Sequence, residues 1–231
     1  MPFVDDGSDS IEMTKKMLEM EIENGVTDVV LTPHMIKGKV KSIEEYQKSY
    51  KTVLNIINSN DLNINVYMGS EIFMFDTTIN DLRNGVVKPF VTTNNILVEL
   101  SLTEMYSYEE IEKIIRDLNL RYNVILAHPE RYHYLRIEDL FKLSKYAKMQ
   151  INTGSIIGVE GAYIKRRAFQ ILRNGIASFI ASDCHDIDLR RPNLLESRKI
   201  VEKKFGTELA IELYDKNPLE IIKDIRKNWL D

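Results

Sequence analysis

A chain of 231 residues with 44% hydrophobic content is long enough for one α/β barrel domain and can bury a substantial core. Its 31 basic and 35 acidic residues leave it slightly acidic, which does not suit an extended nucleic-acid groove. A lone cysteine excludes an internal disulfide framework and suggests a reducing, cytoplasmic setting, while the lack of an apolar run of about 18 residues or of a leader pattern predicts neither membrane span nor signal peptide.

The opening MPFVDDGSDS, an apolar stub running straight into Asp-Asp-Gly, reads like the tail of a preceding element. SDSIEMTKKMLEMEIENG, with a Ser cap, helical apolar spacing and a terminal glycine, predicts a helix. TDVVLTPH is a buried-strand pattern ending in Thr-Pro-His, and an amphipathic helix is expected from Ser42 to about Ser59. INVYMGSEI is a second strand, a short helix falls at about 76–84, and NNILVELS is a third strand. SYEEIEKIIRDLN (helix) and NVILAHPER (strand) follow, then IEDLFKLSKYAKM (helix) and KMQINTGS (strand). AYIKRRAFQILRNG is helical, ASFIASDCH is a sixth strand, and two or three amphipathic helices close the chain, Pro218 starting the last.

Alternating strands and helices with near-continuous apolar strands argue for a parallel sheet covered by helices, and no linker or repeat divides residues 1–231. No Gly-x-Gly-x-x-Gly or Walker loop is present, and polar residues close five separate strands, so a barrel is favoured over an open nucleotide-binding sheet. Those strand ends carry His34, Glu71, Glu99, His128, and Asp183 with His185. A strand-end histidine alone is more often structural. A carboxylate closing an apolar strand is costly unless it is paired or binds a cation. Gathered at one barrel mouth, these six would bind two or more divalent ions of the Mn, Fe or Zn type.

SDCHDIDLR also has the Cys-x5-Arg spacing of a thiolate phosphatase loop, from Cys184 to Arg190. That chemistry needs inward backbone N–H groups and a depressed thiol pKa. The intervening HDIDL has no glycine and adds Asp186 and Asp188, which argues against it. Asp183 and His185 are expected to face one way and Cys184 the other. Arg190 is well placed for bidentate phosphate binding, with a surface role as the alternative. For Arg131 the alternative to a place over the mouth is an ion pair with Glu130, and the aromatics of RYHYL could wall a phenyl phosphate pocket. Lys37–Lys39–Lys41 and Lys165–Arg166–Arg167 are solvated faces or anion sites, His133 a partly exposed loop residue, and Trp229 a packing residue.

The run TPH, GSEI, LVELS, LAHPERY, QINTGS, SDCH and RRP resembles the polymerase-and-histidinol-phosphatase superfamily. More closely it resembles the bacterial manganese-dependent tyrosine phosphatases of capsule and exopolysaccharide gene clusters. The resemblance covers nearly the whole chain, with VDDGS and AHPERY as its most distinctive pieces. It implies a distorted, seven-stranded TIM-like barrel of the superfamily's type, with two or three Mn²⁺ (or Fe or Zn) ions at the mouth. It carries the metal-ligand role onto His34, Glu71, Glu99, His128, Asp183 and His185, phosphate binding onto Arg131 and Arg190, and a site-lining role onto Asp6. The implied partner is a phosphotyrosine protein, a tyrosine kinase regulating polysaccharide synthesis. A histidinol-phosphatase-like small-molecule enzyme and a non-catalytic binding remnant are the rival readings.

Members of that family begin with a strand bearing Asp-x-His-x-His just before VDDG, and this chain starts after it. A truncation, a displaced start codon or a degenerate gene would each leave six strands, a weakened ion site and an open edge prone to pairing with another copy. Impaired activity is the expectation for such a chain.

Overall fold

The computed structural model describes residues 1–36, 38, 41–75, 77–87 and 93–229. Lys37 and Lys39 and the side chain of Trp229 lie outside the described residues.

The first strand pattern is broken by its own proline. β1 (Asp28–Leu31) and β2 (His34–Met35) flank Thr32-Pro33, where the missing proline N–H interrupts a ladder. Its partner breaks beside it, into β3 (Asn65–Met68) and β4 (Glu71–Phe73) around Gly69-Ser70. Gly69 N–H donates to Leu31 O at 2.7 Å and Glu71 N–H to Pro33 O at 3.0 Å, so the pairing runs on through the kink. β5 (Asn95–Glu99), β6 (Asn123–Ala127), β7 (Lys148–Asn152) and β8 (Phe179–Ala181) are unbroken. β1 pairs with β3, and a six-stranded sheet runs β2-β4-β5-β6-β7-β8. Every pairing is parallel. Strand order rising with chain order is the singly wound pattern of a barrel, and β2 and β8 are the two edges of the sheet.

Helices cover the outer face. α1 (Ile11–Glu23) is capped by Ser10, and α2 (Ile43–Ser59) and α4 (Tyr108–Leu118) each start at a Ser/Glu capping box. α3 (Thr78–Arg83), α5 (Ile137–Leu143), α6 (Thr153–Ile157), α7 (Ala162–Arg173), α8 (Leu194–Phe205) and α9 (Thr207–Ile211) follow; a π-helical turn (Glu212–Lys216) leads into α10 (Asn217–Trp229). Two expectations are corrected. The helix IEDLFKLSKYAKM stops at Leu143, and Thr153–Ser155 of the predicted strand QINTGS begin α6 instead. No helix among the described residues is long and apolar enough to cross a membrane.

Strand side chains alternate between faces, so one residue type per face decides what the barrel holds. Inward-facing Leu97, Ile125, Ala127 and Phe179 pack against Ile221, Ile222 and Ile225 of α10. That helix plugs the amino-terminal end of the barrel. Arg226 of α10 ties it there, donating to Tyr67 Oη at 2.8 Å and to Asp28. The carboxyl ends of the strands form the open mouth.

Candidate metal centre

The same alternation that buries Leu97 brings Glu99 inward one step higher. The register pairs His34 with Glu71 and Phe73 with Glu99, setting the polar residues of three adjacent strands side by side. His34 Nδ1 lies 3.1 Å from Glu99 Oε1 and 3.9 Å from Glu71 Oε2. His128 Nε2 lies 3.0 Å from Glu71 Oε1 and 3.8 Å from Glu99 Oε2. On the other side of His34, its Nε2 is 3.5 Å from His185 Nε2 and 3.4 Å from Asp6 Oδ1. Two ligand-grade triads result, Asp6–His34–His185 and His34–Glu71–Glu99, sharing His34.

Backbone strain aims two of these groups. His128 (φ 34°) and Asp183 (φ 48°) both take the left-handed conformation just past a strand end, a costly choice for residues with a Cβ. Asp183 thereby meets Arg190 Nη2, which donates to its Oδ2 at 2.9 Å, and Asn152 Nδ2, which donates to the same atom at 2.6 Å. His185 Nδ1 lies 3.8 Å from Asp183 Oδ1. β8 ends at Ala181, so it is the left-handed turn at Asp183, rather than an extended strand, that separates Asp183 and His185 from Cys184. The Cys184 thiol turns to the Glu21 carboxylate, 3.5 Å away, and burial together with that neighbour raises its pKa. A thiol so held is no nucleophile.

Charge is concentrated and self-compensating. Burial opposes protonation of His34, but the Glu99 contact and the charges of Glu71, Glu99 and Asp6 outweigh it and lift its pKa to about 9. His128 is likewise raised, burial being overcome by Glu71 and Asp183. Asp183 is lowered, because His128, Arg190 and His185 outweigh its burial. Despite those carboxylates, His34 Nδ1 is buried with no hydrogen-bond partner. A cation shared between imidazole and carboxylates satisfies such an atom where the hydrogen-bond geometry does not. Mixed nitrogen and oxygen donors of this kind suit Mn, Fe or Zn, so the residues fit a divalent-metal centre.

Both arginines line the same cavity of about 530 Å³, with Asp6, His34, Glu99 and His128. Arg131 does not pair with Glu130. Its Nε lies 3.1 Å from Glu160 Oε2, and Ser155 Oγ donates to Glu160 Oε1 at 2.8 Å. Glu130 is buried instead beneath the loop, accepting Asn152 N–H at 2.9 Å, and burial raises its pKa to about 7. Asp186 does not face the cavity as a repelling charge. Its Oδ1 accepts the N–H groups of Asp188 and Arg190, folding the turn that returns Arg190 to the mouth.

The tyrosines of RYHYL do not line this cavity. Tyr132 is fully buried, accepting Leu100 N–H and donating to Ala127 O, and Tyr134 donates to Ser101 O. Arg167 is no anion site either: it is buried and donates to the carbonyls of Glu130, Tyr132 and Leu135. His133 is in the loop and more exposed than the partial exposure expected of it. Sequence reasoning missed Asp5, whose Oδ2 accepts His34 N–H at 2.9 Å, and Asn152, which closes the one strand left out of the six-residue set. The VDDG and QINTGS runs contained both, but nothing in their spacing distinguishes a backbone-holding Asp from a site-lining one.

Comparisons with known proteins agree with this geometry. The tyrosine-protein phosphatase YwqE of Bacillus subtilis is 29% identical over 222 residues, covering 92% of this chain and 85% of that protein. The tyrosine-protein phosphatase CpsB of Streptococcus pneumoniae is 28% identical over 231 residues, covering 96% and 94%. A crystal structure from the study of those two, described as unique metal-dependent tyrosine phosphatases, superimposes with a TM-score of 0.83 at 27% identity, covering 90% of this chain and 86% of the other. The sequence model of the capsular polysaccharide synthesis family CpsB/CapC matches residues 1–223, and the chain belongs to that family.

Proposed function

We propose that this protein is a metal-dependent phosphomonoesterase that hydrolyses phosphotyrosine in proteins, using Mn²⁺ as its ion. The observation that carries the reading is the shared-histidine pair of triads flanked by two cavity-lining arginines. His34, Glu71, Glu99, His128, Asp183 and His185 would hold the ions, with Asp6 at the rim. Divalent ions held there would supply Lewis-acid activation of water and of phosphoryl oxygens.

The chain's own residues do the rest. Glu160 holds the Nε side of Arg131, and Asp183 holds one Nη of Arg190. Each guanidinium is thus oriented in the cavity, where its remaining N–H groups stabilise charge on the equatorial phosphoryl oxygens. The phenolate leaving group, with a pKa of about 10, needs little acid assistance. His128, Arg190 and His185 keep Asp183 ionised, Asn152 and Arg190 aim it, and Asp5 pins the backbone of His34.

Residues 1–231 act as a single domain in this reading, in the cytoplasm. The substrate protein is a tyrosine kinase that regulates capsule or exopolysaccharide assembly. Membership of the capsular polysaccharide synthesis family supports that partner. Hydrolysis of a phosphotyrosine peptide and of histidinol phosphate, compared side by side with Mn²⁺ added, tests the reading. The peptide is expected to be the better substrate, and preference for histidinol phosphate would overturn it.

A further inference from the structure

Past two of the cluster residues the alternation supplies one more inward position, at the last residue of β4 and just beyond the end of β2. Two residues beyond His34 stands Ile36, and two beyond Glu71 stands Phe73. The intervening Met35 and Ile72 face outward and are 5% and 1% exposed beneath the helices, which fixes the alternation. His34 pairs with Glu71 and Met35 with Ile72, and Ile36 and Phe73 each follow directly on that paired stretch, both at the cavity. Phe73 is also level with Glu99.

Both residues line the 530 Å³ cavity, and Leu102 continues their apolar side. Phe73 is half-buried, and the ring of Phe75 braces it with centroids 4.8 Å apart. The opposite lining is His34, Glu99, His128 and the two arginines. One cavity therefore offers a braced aromatic shelf beside a site for a phosphoryl dianion.

The geometry points to Ile36 and Phe73 as the seat of the substrate's aryl ring and the residues that set preference for aryl over alkyl phosphate monoesters. The inference rests on the phosphatase reading above and adds its selectivity. An aromatic ring packs on Phe73 by offset or edge contact. An alkyl ester leaves that surface in water and gains nothing from it. The aromatic wall for a phenyl phosphate thus comes from β4 rather than from RYHYL.

Calorimetric titration of the Mn²⁺-supplemented protein with phenylphosphonate and with methylphosphonate tests this without turnover. The wild type is expected to bind phenylphosphonate about ten-fold more tightly. In Phe73→Ala that preference is expected to shrink to about two-fold or less, with methylphosphonate affinity unchanged within about two-fold. Ile36→Ala serves as the second variant should Phe73→Ala fail to fold, and Phe73→Leu is expected to retain part of the preference. The ratio of kcat/KM for phenyl phosphate over an alkyl phosphate should follow the binding ratio. An unchanged aryl preference in folded Phe73→Ala and Ile36→Ala overturns the assignment, as does an equal loss for both phosphonates. Failure of wild type to bind either phosphonate overturns the phosphatase reading and the shelf with it.

Discussion

His34 is the residue on which the candidate site turns, because both triads share it. Its raised pKa has opposite consequences for the metal-free and metal-bound protein. In the metal-free protein the folded pKa of about 9 exceeds the ordinary value of 6.5, so the charged histidine stabilises the fold. That contribution is complete below pH 6.5 and is lost as pH rises through about 9. Metal binding at His34 would require the neutral ring, so it would release that proton and strengthen over the same window. Calorimetry in buffers of different ionisation enthalpy should show proton release on Mn²⁺ binding at pH 7.5, and no release would contradict the assignment of His34. Cys184 makes the contrasting case. Its thiol is tied to Glu21 and held protonated, so Cys184→Ser should leave phosphotyrosine hydrolysis unchanged within about two-fold, as expected of a residue outside the chemistry.

At the scale of elements, the loop after β6 shows how buried hydrogen bonds hold the residues that reach the cavity. The left-handed His128 begins it, Arg131 points to the cavity from it, and Tyr132 locks it to Leu100 and Ala127. Beneath it Arg167 of α7 donates to three carbonyls and takes no carboxylate partner among the ion pairs of the described residues. Removing it leaves those oxygens unmet in a buried site. Arg167→Met should cost about 2–4 kcal/mol in urea unfolding and lower kcat by misplacing Arg131. A change under about 0.5 kcal/mol would show that the loop holds itself. None of this was legible in KRRAFQ, where a buried arginine and two partly solvated cations look alike. The strand ends were legible, because a carboxylate or histidine after an apolar run breaks the expected pattern. The α2 boundaries were legible too, since Ser42 and Glu45 form the capping box their spacing implies.

For the whole molecule, the six strand patterns and their order follow directly from alternation with helices, and the parallel sheet has that order. What alternation could not supply was how strand ends converge. The kink at Pro33 beside Gly69 and the left-handed turns at His128 and Asp183 depend on contacts between strands distant in sequence. So do Asn152 and Glu160, each of which acts by gripping a residue on another element. The plug of α10 under Leu97 and Ile125 fills the amino-terminal end of the barrel, while the histidine–carboxylate cluster lines a cavity at the carboxyl end.

The most direct test is phosphotyrosine hydrolysis and bound-metal content measured together, before chelation, after it and on return of Mn²⁺, with Cys184→Ser alongside. Activity that disappears with the metal, returns with Mn²⁺ and is indifferent to Cys184→Ser is the expected result. Activity that survives chelation and vanishes in Cys184→Ser would contradict a metal centre built on His34.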